Sequence, residues 1–375
     1  MRGLRMLAVL AAANVLTGCA SGSAGVETAD PVPDPSVAAS AAPASEPAAR
    51  LGLTCSDAVP AALVDSLLNS TTVTTDLMVR PHSATPLGYA VSQLGGISCL
   101  SREDVDALSW VSVQVLPEAT EQWATYAEKN AEVVSGGRSV YGDASNVLCF
   151  AAVAGSSCSV NILVGDLWIE VIARGIDVDP SLSSEAVAEH AAPLITDLVD
   201  TVAAVPAPGP LWVPPPSTGS LPADCPVYAT AEEFRAAFGT AEETLISADS
   251  DRDGWGIDNA AWTIAGGDRC TWVPESTGQT WPLYITALPG GGWAFDRSSG
   301  FMTADADVET VADAVAGVDR ATFGCKVYAD FCTLDTVILG NWVQFSAKQA
   351  SVGTEDEVRA LLMGIAERAV ARFNE

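Results

Sequence analysis

One local run in this chain, Asp249-Ser250-Asp251-Arg252-Asp253-Gly254, has the residue types and spacing to hold a metal ion. Alternate aspartates can converge oxygens on a hard cation such as calcium, and a glycine at the sixth position permits the sharp turn of an EF-type loop. The twelfth position is Ala260 rather than an acid, so Asp258 at the tenth would have to stand in for it. The run reads either as a partial calcium site of Asp249, Asp251, Asp253 and Asp258 or as a solvated acidic turn. The acidic turn is the preferred reading, and no other cofactor is expected. Tryptophans crowd the same region. Trp255, Trp262 and Trp272 could line a groove for an apolar or glycan ligand, or they could pack as core beside a cysteine, which is the favoured expectation.

Catalytic chemistry is harder to find. Of the two histidines, His82 follows Pro81 in a turn and His190 sits among alanines on a helix. No GxSxG elbow, HExxH helix, phosphate-binding glycine loop or SxxK motif occurs. A pair of carboxylates could hydrolyse a glycoside, but nothing in the sequence singles out a pair. A chain without catalytic residues is therefore expected.

The remaining reactive residues are nine cysteines, and eight of them repeat. Cys55, Cys99, Cys149 and Cys158 correspond in order to Cys225, Cys270, Cys325 and Cys332, at offsets of 170, 171, 176 and 174 residues. The flanks agree: Gly95-Gly96 and Gly266-Gly267 precede the second cysteine of each set, and Trp168 and Trp342 each lie ten residues after the last. Such stable offsets point to duplication. Four cysteines allow three connectivities. Cys149 and Cys158 flank a short turn with an even number of residues between them, as do Cys325 and Cys332, so each pair can sit directly opposite across a hairpin. That favours joining first to second and third to fourth. A zinc site is disfavoured, because there is no CxxC and free thiolates do not persist in an oxidising compartment.

The ninth cysteine sets that compartment. Arg2 and Arg5 precede an apolar run from Met6 to Leu16, and Leu16-Thr17-Gly18-Cys19 follows. The run is about half the roughly 20 residues needed to span a bilayer, which reads as a signal-peptide core. The pattern resembles the bacterial lipobox, so residues 1–18 are expected to be removed and Cys19 to be lipidated. Residues 19–50 are almost wholly Ala, Ser, Pro and Gly with a few acids, an expected disordered stalk. The location implied is the outer face of the cell membrane, lipid-anchored and extracytoplasmic.

Net charge is -29, with no Lys/Arg cluster. A nucleic-acid partner is excluded on that ground, as is a basic patch on an anionic membrane. Residues 51–204 and 223–375 are each long enough for a core of their own. Between them, residues 205–222 hold seven prolines around Leu211-Trp212-Val213, a semi-rigid joint with Trp212 expected to pack on one side.

Hydrophobic spacing predicts in the first unit a helix over 57–69, strands over 71–79, 87–94 and 110–116, a helix over 118–134, strands over 147–153, 158–164 and 167–173, and a helix over 184–203. The second unit repeats this with helix 231–238, strands near Thr244, Trp262 and Leu283, a helical stretch over 308–315, hairpins through Cys325, Cys332 and Trp342, and helix 355–373. The order, roughly αββαβββα, implies an α+β fold of two tandem copies, each a curved antiparallel sheet covered by helices on one face.

Gly266-Gly267-Asp268-Arg269-Cys270-Thr271-Trp272, and Cys332 followed by Gly340-x-Trp342-Val343 and an Ala-rich terminal helix, resemble an actinobacterial lipoprotein family of unknown function. That family is similar in general features to the extracellular sensor domain of a mycobacterial serine/threonine kinase. The first unit has Ser98-Cys99-Leu100-Ser101 instead of Arg-Cys-x-Trp and looks like a diverged copy. The resemblance implies a disulfide-bonded binding or sensing domain without catalytic residues. Three readings follow in order: a non-catalytic module binding an envelope ligand or protein, a structural accessory of an envelope complex, and a carboxylate-dependent hydrolase.

Overall fold

The structure, a computed structural model, describes residues 46–76, 85–104, 107–130, 140–153, 155–222, 224–247, 256–275, 282–302, 308–311, 315–326 and 331–373. Cys19, His82, Asp249, Asp251, Asp253 and Trp255 lie outside the described residues. The fold is α+β, built on two antiparallel sheets and four disulfides.

In sheet 1, β1 (Val73–Asp76), β2 (Ile97–Arg102), β3 (Trp110–Leu116), β4 (Ala144–Phe150), β5 (Ser156–Val164) and β6 (Leu167–Ile176) run in the order β1-β2-β3-β6-β5-β4. Sheet 2 comprises β7 (Thr244–Ser247), β8 (Asp268–Pro274), β9 (Leu283–Leu288), β10 (Val308–Thr310), β11 (Arg320–Lys326), β12 (Phe331–Ile338) and β13 (Asn341–Lys348). Its order is β10-β11-β12-β13-β9-β8-β7, the path of sheet 1 with one strand added at the edge. The registers match as well: Trp168 stands opposite Leu116, and Trp342 opposite Leu288.

The disulfides join Cys55 to Cys99, Cys149 to Cys158, Cys225 to Cys270 and Cys325 to Cys332. Cys149 pairs directly with Cys158 across β4 and β5, and Cys325 with Cys332 across β11 and β12, with Cα separations of 4.1 and 3.9 Å. The two longer links pin the first short helix of each half, Cys55–Ala58 and Cys225–Tyr228, to β2 and β8.

Alternation along the strands gives each sheet two different faces. One face of sheet 1 sets Ile169, Val171 and Ala173 against Val187, Leu194 and Leu198 of helix Ser184–Ala203. One face of sheet 2 sets Ile285, Val343 and Phe345 against Val358, Leu362 and Ile365 of helix Glu355–Phe373. Each fully buried aliphatic side chain there contributes about 1.5–3 kcal/mol.

The opposite faces do not end in solvent. Trp168, Leu116 and Leu163 of sheet 1 share a third core with Trp342, Leu288 and Val337 of sheet 2. Two equivalent segments complete it by crossing over. Tyr89 and Val91 of the first half pack there with Ala260, Ala261 and Trp262 of the second, on helix Ile257–Ile264. The Tyr89 ring lies edge-on to Trp293 at 5.8 Å and to Trp342 at 5.5 Å. Buried Gln93 donates to the Pro289 carbonyl at 2.7 Å and accepts from Trp293 Nε1 at 3.2 Å. Residues from Pro43 to Glu375 accordingly form one compact unit.

Four expectations are corrected. Helix 57–69 is two helices, Cys55–Ala58 and Ala61–Leu68, because Pro60 lacks an N–H and disfavours helical backbone at Val59; it caps the second helix instead. Residues 87–94 form a 3₁₀ turn, Leu87–Tyr89, and a helix, Ala90–Gln93, rather than a strand. The strand expected near Trp262 is helix Ile257–Ile264, with Ile257, Ala260 and Ala261 buried at helical spacing. Both are short apolar runs, which periodicity alone does not separate from buried strands. The helix placed over 308–315 lies earlier, at Gly292–Met302, and Val308–Thr310 pairs with β11 as β10.

The paired glycines now have a reason. Gly95 and Gly266 take φ of +75° and +71°, turning the crossing segment into β2 or β8. A Cβ on Gly96 would lie 2.4 Å from the Val115 carbonyl oxygen, and one on Gly267 2.4 Å from the Trp262 ring.

The proline-rich stretch is held at both ends. Gly209 exchanges hydrogen bonds with Arg50, and Gly219 with Leu339 and Asn341. Trp212 packs on the second half, its ring edge-on to Trp293 at 6.4 Å.

Candidate functional site

The inner face of each sheet carries a row of polar side chains next to the shared aromatic core. In sheet 1 the row runs Asn146, Asn161, Glu170, Gln114, Ser98, one residue per strand across β4, β5, β6, β3 and β2. In sheet 2 the equivalent row is Thr322, Asp335, Gln344, Thr286, Arg269. Polar groups this far inside need partners, since an unsatisfied buried one costs about 1–3 kcal/mol.

In sheet 1, Asn146 donates to Tyr126 Oη at 2.8 Å and Asn161 accepts from Trp168 Nε1 at 2.9 Å within the first half, and the second half supplies partners for Glu170 and Gln114. Helix Ile257–Ile264 arrives with its N-terminus on the row, and Glu170 accepts a hydrogen bond from the Ile257 backbone N–H as well as from Asn161. Gly256 caps that helix with no side chain of its own, and a Cβ there would lie 3.3 Å from Glu170 Oε1. Asp258, in the first turn, accepts 2.7 Å from Gln114 Nε2. Burial, and secondarily the Asp258 charge, push the Glu170 carboxyl up to about 8 against the hydrogen bonds that favour its ionised form. Burial also raises Asp258, opposed by the Gln114 bond.

In sheet 2 the row opens on a cleft of about 310 Å³. Arg269, Thr286 and Gln344 come from the row, Thr271 and Tyr284 from the next positions along β8 and β9, and Leu87 and Thr85 from the first half. Tyr284 and Phe331 form an aromatic wall, ring edge to face at 5.4 Å. Gln344 donates 2.8 Å to Asp335, which also accepts 2.9 Å from Trp342 Nε1. Thr286 is only 5% exposed, and its hydroxyl has no hydrogen-bond partner among the described residues. The same holds for the hydroxyls of Thr322 and Ser346 on this face. Aromatic walls with a few convergent polar groups are the usual make-up of small-molecule sites, which span roughly 300–1,000 Å³.

A second cleft of about 280 Å³ lies between the halves, with Thr54, Ser92, Trp293, Asp76 and Arg297 on its walls. Arg297 and Asp76 form an ion pair of 3.5 Å there.

The tryptophans proposed for a groove are not brought together. Trp262 and Trp272 are 2% and 0% exposed, Trp262 in the shared core and Trp272 in the core of sheet 2, where its Nε1 donates to the Ala229 carbonyl. Alternation along β8 turns Trp272 to the helix-covered face, and Trp262 is buried from helix Ile257–Ile264. Asp258 accepts a hydrogen bond from Gln114, while Asp249, Asp251 and Asp253 of the same expectation lie outside the described residues. Among the described residues, no three His, Cys, Asp or Glu side chains stand together in a way that could hold a metal. His190 is exposed on helix Ser184–Ala203.

Sequence reasoning missed Glu170, Gln114, Thr286 and Gln344. A signal was present: Glu170 and Gln344 each follow a repeat-matched tryptophan by two residues, which puts them on the same strand face. Arg269 was inside the quoted signature without a role.

No family model, no curated protein and no solved structure matches this chain.

Proposed function

We propose that this chain is an extracytoplasmic lipoprotein, anchored through Cys19, that binds a small ligand without transforming it. The observation that carries the reading is the sheet-2 cleft, where the buried and unpartnered Thr286 hydroxyl stands beside the aromatic wall of Tyr284 and Phe331. The lipobox, the even set of eight further cysteines and the stalk composition support the location. Among the described residues no helix is long and apolar enough to cross a membrane, so attachment in this reading rests on the lipid.

The same strand path, the same disulfide pattern and the matched tryptophan registers support descent of the two halves from a duplicated unit. In that light the crossing segments 87–93 and 257–264 are equivalent elements, each resting on the other half's sheet. The resemblance to an actinobacterial lipoprotein family, and through it to a kinase sensor domain, is part of the proposal and agrees with a binding role.

Two acids meet in one place among the described residues of the polar rows, Glu170 with Asp258. Both are committed to hydrogen bonds that hold the halves together, which favours a binder over a carboxylate hydrolase. A second reading, an accessory in an envelope complex, draws on the exposed Leu148, Phe150 and Val153 on and beside edge strand β4.

Native mass spectrometry of the full chain, purified in detergent from its own membrane, tests the binder. A retained small molecule that is lost in Thr286→Trp, with melting unchanged in a control, is the expected result. Identical spectra with and without the cleft filled would sink it. A stoichiometric protein partner recovered by crosslinking in membranes, in place of a small molecule, would establish the accessory reading.

A further inference from the structure

The inner faces of the two sheets differ at a set of positions that lie side by side. Counted from the matched cysteines and tryptophans, Leu100, Ile172, Ser112 and Ser157 of sheet 1 answer to Thr271, Ser346, Tyr284 and Phe331 of sheet 2. Where sheet 1 has two aliphatic side chains, sheet 2 has hydroxyls, and where sheet 1 has two serines, sheet 2 has aromatic rings. The four fall together, since Tyr284 stands opposite both Thr271 and Ser346 and its ring meets that of Phe331 at 5.4 Å. Packing alone disfavours the exchange. The hydroxyls of Ser346 and Thr286, 0% and 5% exposed, have no hydrogen-bond partner among the described residues, and a buried polar group left unpaired is destabilising.

The cleft walls combine both senses of hydrogen bonding in neutral groups. Thr85 accepts from the Gly88 N–H at 3.2 Å, which leaves its own O–H to donate. Thr271 donates to the Ser247 carbonyl at 3.3 Å, which leaves its lone pairs to accept. Thr286 retains both. Arg269 and Tyr284 are engaged elsewhere in the chain, so these hydroxyls are the open capacity of the described walls. A guest that carries hydroxyls of its own meets all three, whereas an aliphatic guest leaves Thr286 unpaired and an anion cannot give a proton to Thr271. The rings of Tyr284 and Phe331 add a surface whose negative π-face attracts polarised C–H bonds, which line the faces of a sugar ring. We propose that the sheet-2 cleft binds a neutral saccharide, one face of the sugar resting on Tyr284 and Phe331 and its hydroxyls reaching Thr85, Thr271 and Thr286.

This inference rests on the cleft being the ligand site and narrows its ligand to sugars. The net charge of -29, which repels an approaching anion, leaves a neutral guest unaffected. A volume of about 310 Å³, near the lower end for ligand sites, restricts that guest to a small sugar or the end of a longer glycan.

Isothermal titration of the full chain, in a detergent without a sugar headgroup, tests the inference with glucose, mannose, N-acetylglucosamine and maltose against cyclohexanol, a ring with a single hydroxyl. At least one sugar should bind about tenfold or more tightly than cyclohexanol. Tyr284→Ser combined with Phe331→Ser, which copies the sheet-1 positions, should weaken that sugar about tenfold. Thr286→Val should weaken it about three- to tenfold, the loss of one hydrogen bond, while leaving the melting temperature at or above that of the parent, since it removes an unpartnered buried hydroxyl. Thr286→Ser, which keeps the hydroxyl, should keep the affinity. Cyclohexanol binding as tightly as every sugar overturns the inference and leaves the cleft as a site for apolar guests. Sugar binding that survives both Thr286→Val and the double serine variant overturns it too, because the sugar then sits elsewhere. If none of the four sugars binds while native mass spectrometry still finds a molecule displaced by Thr286→Trp, the saccharide is wrong and the cleft stands; if no molecule is found either, both readings fall.

Discussion

Glu170 and Gln344 occupy the same register position in the two sheets, each opposite a residue of the other's chemistry: Glu170 faces Asn161, and Gln344 faces Asp335. The tryptophan two residues earlier fixes the arrangement, since Trp168 and Trp342 each donate at 2.9 Å, to Asn161 Oδ1 and to Asp335 Oδ1. Each sheet thus carries one amide and one acid at its centre, in opposite order. In sheet 2 the acid is fed by two N–H donors. In sheet 1 it is turned toward Asp258 of the other half, where ionising both acids is costly.

Stability should therefore fall as pH rises through neutrality. Glu170 is raised from 4.5 to about 8. Below the unfolded value both states hold the proton and the full stability is present. Between about 4.5 and 8 the unfolded chain has lost the proton that the folded chain keeps, so stability drops, by at most about 1.4 kcal/mol per pH unit. Above that window the loss is complete. Asp258, shifted in the same direction, adds to the slope. Glu170→Gln, which copies the neutral form and the residue at the matching position of sheet 2, should melt higher than the parent at pH 8 and flatten the profile. Thermal melts of both proteins from pH 5 to 8.5 check this; a parent profile flat across that range would refute it.

The disulfides should differ in worth by loop length. Cys55–Cys99 and Cys225–Cys270 close separations of 44 and 45 residues, whereas the hairpin links close 9 and 7. The chain-entropy relation gives about 4 kcal/mol for the long loops and about 2.5 kcal/mol for the short ones. Replacing Cys225 and Cys270 together by serine should therefore lower the denaturant midpoint more than replacing Cys325 and Cys332. Equal losses would show that strain or unfolded-state structure dominates.

Residues that answer to one local rule were legible in the sequence. Strand Trp110–Leu116 alternates cleanly, helices Ala231–Phe238, Ser184–Ala203 and Glu355–Phe373 carry their apolar faces at helical spacing, and Cys149 and Cys158 sit at a hairpin distance. What was not legible depends on the other half of the chain. Leu87–Leu94 and the stretch near Trp262 read as strands because each is a short, largely buried apolar run, and part of the burying surface is contributed from some 170 residues away. The polar rows were hidden for the same reason. Glu170 has no acidic neighbour in sequence, and only the crossing helix sets Asp258 beside it.

Glu233 should stabilise the second half through the end of the chain. It closes the capping box of helix Ala231–Phe238 with Thr230 and receives Arg368 at 2.6 Å and Arg372 at 3.0 and 3.1 Å. Burial alone would raise its carboxyl, but the Arg372 hydrogen bonds, the Thr230 backbone N–H, the Arg372 charge and the Arg368 hydrogen bond hold it at about 2. Its contribution is thus present above the ordinary carboxylate range and lost as pH falls through about 2. Glu233→Gln should cost about 1–2 kcal/mol at pH 7, discounted because Arg368 is half exposed. The gap between the two proteins should close in acid, as urea titrations at pH 7 and pH 2.5 would show; a gap of the same size at both would assign the loss to shape rather than charge.

The shared core predicts one unfolding transition where two tandem domains would give two. Tyr89 packs on Trp342, Gln93 holds Trp293 and the Pro289 carbonyl, and Gln114 holds Asp258, so neither sheet keeps its inner face covered once the other has opened. Gln93→Ala leaves the Trp293 N–H and the Pro289 carbonyl unpaired inside the molecule, at about 1–3 kcal/mol for each group. That loss should shift the whole melt rather than split it, because the contact belongs to both halves. Calorimetry checks the point directly: a single endotherm whose calorimetric and van't Hoff enthalpies agree, moved down intact in Gln93→Ala, is expected. Two resolved endotherms in the parent, with only one responding to the substitution, would mean that the crossing segments dock loosely and that each sheet is stable without its neighbour.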